Sequence, residues 1–138
     1  MFMSANAYGV NRYATVSVQT GIEDASPHQL IQMLLKGALE RIAQAKGALE
    51  RKDHPKKGEL INKAIAIIGG MQEAVDMEQG GELGERLFEL YGYMQERLVI
   101  ANANNSPEIL DEVSSLLIEI KEAWDAIPPE YHHVSGGG

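Results

Sequence analysis

The chain has 138 residues, 44% of them apolar and 23% charged, which gives one domain with a substantial core and excludes a disordered protein. It contains no cysteine, so a disulfide framework and a thiolate metal site are both excluded. A formal net charge of −8 argues against nucleic acid and anionic membrane surfaces as partners, and no run approaches the roughly eighteen apolar residues needed for membrane insertion.

Residues 1–25 come first. Tyr8, Val10, Tyr13, Val16, Val18 and Ile22 lie among Ser, Asn, Thr and Gly without a 3.6-residue period, so no long helix is expected. The segment lacks the basic-then-apolar order of a signal peptide, and a soluble cytoplasmic protein is expected. It reads as a terminus docked on the domain, or as a detachable strip that covers a groove or meets a partner. The first helix then opens at Ser26–Pro27–His28–Gln29, with Ser26 as N-cap, Pro27 at N1 and Gln29 completing a capping box. Its stripe is Ile31, Leu34 or Leu35, Ala38, Ile42, Ala45 and Leu49, ending near Lys52 before the break at Asp53–His54–Pro55.

A second helix follows Pro55 with the stripe Ile61, Ala64, Ile68, Met71 and Val75, and its pattern ends at Met77. Gly69–Gly70 in its middle costs about 1 kcal/mol per residue relative to Ala, which points to a kink or a close backbone approach. Gly80–Gly81 lets the backbone take positive φ and reverse. From about Gly81 a third helix carries Leu83, Leu87, Leu90 and Met94 on one face, widened by Phe88 and Tyr91, and runs on through Leu98 and Ala101 to Asn102–Asn105. Ser106–Pro107 caps a fourth helix with the stripe Leu110, Val113, Leu117, Ile120, Trp124 and Ile127, ended by Pro128–Pro129. The remainder reads as a flexible tail. The expected fold is all-α: an antiparallel four-helix bundle over residues 26–127, with residues 1–25 docked on it and residues 128–138 as the tail.

Catalytic chemistry finds little footing. The one Glu-x-x-His is Glu130–His133 in the tail, while His28 and His54 are expected at a helix start and in a loop, neither facing the core. No serine has a nucleophile-elbow context, and Gly80–Gly81 lacks the lysine of a phosphate loop. The expectation is a non-enzyme without cofactor or metal. What remains is apolar surface: first, third and fourth helices broader than a two-residue seam suggest a groove for an amphipathic segment of another protein. A helical adaptor or homodimeric scaffold is the alternative use of such stripes, and light scattering separates the two.

At these residues the chain resembles the flagellin-specific export chaperone family (FliS), from about Tyr8 to Ile127. The resemblance rests on Tyr13–Ala14–Thr15–Val16, Ala25 to Ile31, Asp76-x-Glu78-x-Gly80–Gly81–Glu82, Leu87-x-x-Leu90–Tyr91-x-Tyr93–Met94, Arg97–Leu98-x-x-Ala101–Asn102, and Glu112–Val113 through Leu117 to Glu122–Ala123–Trp124. The chain departs from the family's common residues at Lys36, Gln79, Arg86 and Gly92. The resemblance implies a cytoplasmic chaperone, monomeric alone and one-to-one with its client, that binds the disordered C-terminal segment of flagellin and delivers it to a flagellar export gate protein. It also implies that Val10 and Tyr13 dock at the gate and that the N-terminal strip, with Tyr8 and Val16, caps the groove. Client binding is expected at Leu87, Leu90, Tyr91, Met94 and Leu98.

Overall fold

The computed structural model describes residues 26–75 and 77–128, with backbone alone for 77–79. The N-terminal segment, and with it Tyr8, Val10, Tyr13 and Val16, lies outside the described residues, as does the chain from residue 129. Four helices make up the described part: α1 (Pro27–Glu50), α2 (His54–Glu73), α3 (Met77–Asn104) and α4 (Pro107–Asp125). Each packs on its chain neighbours, and α4 closes the ring against α1. This is the four-helix bundle expected from the alternating threes and fours.

The helix starts follow the local chemistry of their caps. Ser26 Oγ accepts from Gln29 N (3.1 Å) while Gln29 Oε1 accepts from Ser26 N (2.8 Å), completing the capping box. Ser106 Oγ does the same for Ile109 N at 3.2 Å. Asp53–His54–Pro55, read from sequence as a break, is instead the start of α2: Asp53 Oδ1 caps Lys56 N at 3.2 Å, and Pro55 occupies the first turn, where its missing N–H costs nothing. The helix stop and the helix start are therefore the same residues. Two ends use left-handed residues, Lys52 (φ 61°) and Asn105 (φ 50°), which let Asp53 N reach Ala48 O and Ser106 N reach Ala101 O.

The expected end of the second helix at Met77 is corrected to Glu73, with Ala74 as C-cap. Residues 77–80 belong to the next helix, and Gly81 (φ 56°, ψ −133°) interrupts it. The positive φ falls on the expected glycine, but it kinks α3 where the sequence suggested a reversal. The Gly69–Gly70 conflict is a close approach. A Cβ on Gly69 would stand 3.3 Å from Gln95 Oε1, and one on Gly92 would stand 3.1 Å from Gln72 Nε2. Across this seam Gln72 Nε2 donates to Phe88 O (3.0 Å), and Gln95 Nε2 donates to Gln72 Oε1 (2.9 Å) and Tyr91 O (3.2 Å).

The core is drawn from the expected stripes: Leu35, Ala38 and Ile42 from α1, Ile61, Ala64 and Ile68 from α2, Met94 and Leu98 from α3, and Leu110, Val113 and Leu117 from α4. His28 corrects the sequence reading, because it is 0% exposed. Its ring stacks on Trp124 with centroids 4.9 Å apart, its Nε2 lies 2.8 Å from Trp124 O, and Trp124 Nε1 donates to His28 O at 3.0 Å. At the opposite end of the bundle, buried Lys57 donates from Nζ to Asn102 O (2.9 Å) and Asn105 Oδ1 (2.6 Å), on the negative end of the α3 dipole.

Two stability predictions follow from this packing. Replacing Lys52 by Gly removes the left-handed strain of a residue with a Cβ, and urea unfolding is expected to show a gain of about 1 kcal/mol. Burial pushes the Tyr91 phenol up from its ordinary 10.0 to about 12. The native state thus keeps that proton at a pH where the unfolded chain loses it, and stability falls as pH rises from about 10 to about 12. The loss is about 2 to 3 kcal/mol. Unfolding midpoints measured across this range should fall more steeply for the parent than for Tyr91→Phe.

Candidate functional site

Helix α3 was expected to present the binding face, and its residues divide sharply. Met94, Leu98 and Tyr91 belong to the closed core, whereas Leu87 and Leu90 pack against that core and are partly buried. Leu83 is 68% exposed, so it leaves the stripe the sequence assigned it to. The register against α2 explains why: Gln72 lies opposite Phe88, which carries Leu83 past the end of α2 at Glu73.

The structure exposes apolar side chains that the helical rhythm did not single out. Tyr93, Val99 and Ile100 on α3 and Ile118 on α4 are exposed, Val99 at 57%. They fall outside the core stripes, and periodicity alone does not distinguish such residues from scattered surface apolar groups. Tyr93 and Ile100, seven residues apart, share one side of α3, while Val99 points about 100° away from Ile100.

A polar cluster fixes the α3–α4 side of this surface. The Tyr93 hydroxyl donates to Glu112 Oε2, and Arg97 Nε donates to Glu112 Oε1 at 2.9 Å. Hydrogen bonds from Tyr93 and then Arg97 hold the Glu112 carboxyl below its ordinary range, and the bond to Glu112 raises the Tyr93 phenol. The tyrosine ring is thereby held at the surface by its polar tip, leaving its apolar body available for contact. Among the described residues no group of three or more His, Asp or Glu side chains is placed to hold a metal ion. The buried His28 is engaged with Trp124, so its role is to join α1 to α4. The chemistry on offer at α3 is apolar contact and hydrogen bonding.

Comparison with known proteins gives this surface a family. Residues 9–131 match the family described as Flagellar protein FliS. The chain is 55% identical over 118 residues to the flagellar secretion chaperone FliSB of Pseudomonas aeruginosa, covering 86% of this chain and 94% of that protein. It is 46% identical over 125 residues to the flagellar secretion chaperone FliS of Salmonella typhimurium, covering 90% and 93%. The counterpart of the same name in Vibrio cholerae is 43% identical over 123 residues, covering 89% and 90%. With likeness of this extent running through all four helices, the chain belongs to the FliS family, which is a family of chaperones and not of enzymes.

Proposed function

We propose that this protein is a cytoplasmic flagellar export chaperone that binds the disordered C-terminal segment of flagellin, prevents its premature polymerisation and delivers it to an export gate protein. The observation that carries this reading is the near full-length likeness to proteins named flagellar secretion chaperones. The exposed apolar side chains of α3 and α4 agree with it physically, since a disordered client gains its binding energy by laying apolar residues on a preformed surface. No helix among the described residues is long and apolar enough to cross a membrane.

In this proposal Leu87 and Leu90 meet the client directly, with Tyr91, Met94 and Leu98 forming the rigid layer behind them. Val10 and Tyr13 dock at the export gate, while Tyr8 and Val16 belong to the strip that covers the groove before the client arrives. An internal strip that competes for the same surface shields it from aggregation and lowers apparent client affinity, which eases handover.

Titration calorimetry of the full chain with the C-terminal segment of its cognate flagellin should show saturable one-to-one binding, and a scrambled segment of the same composition should give none. Absence of binding by the cognate segment would overturn the proposal. Removing residues 1–25 should tighten binding of the same segment and reduce solubility. If both stay unchanged, the covering role assigned to Tyr8 and Val16 is wrong.

A further inference from the structure

The positive charge of this acidic chain is concentrated in one place. Residues 41–63 carry seven Lys and Arg against three acidic residues, whereas the rest of the chain carries five against seventeen. Four of the seven, Arg41, Arg51, Lys56 and Lys63, line a groove of about 680 Å³ between α1 and α2, whose remaining walls include Gly47 and Leu60. Arg41, Arg51 and Lys63 make no ion pair among the described residues, and Lys56 has only the neighbouring Glu59 at 3.5 Å. In an antiparallel hairpin turning at Arg51–Asp53, Arg51 and Lys56 stand at one end of the groove and Arg41 and Lys63 at the other. The ten residues from Arg41 to Arg51 span about 15 Å of helix.

Gly47 gives a second, independent indication. A glycine in the interior of a helix costs about 1 kcal/mol relative to Ala, and Gly47 has no positive φ to justify it. A Cβ there would stand 3.2 Å from Arg51 Nη1, so the bare backbone at this point lets the guanidinium pack close against α1 on the groove wall.

We infer that the α1–α2 groove is a second docking site, separate from α3, for a short acidic peptide segment of a partner protein. Such a segment brackets an apolar side chain with carboxylates. The two cationic ends pair with carboxylates about five extended residues apart, and the apolar side chain between them lies over the groove floor at Leu60. A nucleic acid fits poorly, because a phosphodiester chain longer than the groove runs into the strongly acidic remainder of the surface.

Fluorescence anisotropy of the full chain with fluorescein-labelled Glu-Glu-Leu-Glu-Glu tests this directly. Binding is expected at about 50 mM salt and should weaken about tenfold by about 300 mM. The Gln-Gln-Leu-Gln-Gln peptide should not bind. The double variant Arg41→Glu, Lys63→Glu should lose binding about tenfold or more. Gly47→Gln should also lose it while its melting temperature holds or rises, because the added side chain pushes the Arg51 guanidinium out of place and helix propensity improves. Failure of the acidic peptide to bind at low salt, equal binding by both variants, or tighter binding of an oligothymidylate of equal charge would overturn the inference. None of these readouts involves flagellin, so they stand or fall apart from the client assignment.

Discussion

The fold depends on pairing polar groups that are buried at helix ends. His28 and Trp124 exchange ring-to-backbone contacts in both directions, tying the start of α1 to the end of α4. Lys57 ties the start of α2 to the end of α3 through Asn102 O and Asn105. A buried cation without partners costs far more than a lost hydrogen bond, so Lys57 restricts α2 and α3 to registers in which those acceptors are within reach. Apolar stripes tolerate small axial slips; these contacts do not. With the register fixed from both ends, the fully buried Leu35, Ile42, Ile68, Met94 and Leu117 meet in one layer set rather than in several near-equivalent ones.

That division of labour also explains what could be read from the sequence. The stripes and the Ser26 and Ser106 caps are local signals that depend on residues three or four apart, and the structure contains both. His28 is a different case: its burial is produced by Trp124, 96 positions away, and nothing near a helix N-terminus marks it. The same limit governs α3. A broad apolar face shows that a helix has more than one neighbour, but it does not reveal whether the extra neighbour is another helix or a client. Tyr91, Met94 and Leu98 turned inward to the bundle, whereas Leu87 and Leu90 remain partly open. Val99 and Ile118 lie outside any stripe, so the helical rhythm gives no sign of their exposure.

The arrangement suits a protein whose work is holding rather than transforming. Its ends are joined by hydrogen bonds and its centre is apolar and buried, so the body itself has little need to reorganise when a partner arrives. In the proposed complex the conformational cost of association falls mainly on the disordered segment. Charge separates the surface further, because the exposed apolar residues of α3 and α4 belong to the acidic part of the chain and the cationic groove belongs to α1 and α2.

The glutamine seam between α2 and α3 constrains how such a sequence can drift. Gly69 and Gly92 each make room for the amide of the opposite helix, and Gln72 and Gln95 bond both to each other and to the carbonyls of Phe88 and Tyr91. A methyl group at either glycine would crowd the facing amide at 3.1 to 3.3 Å and press it to shift against its hydrogen-bonded mate. The four positions therefore form a quartet whose substitutions are coupled, so that change at one is tolerated only with matching change at the others.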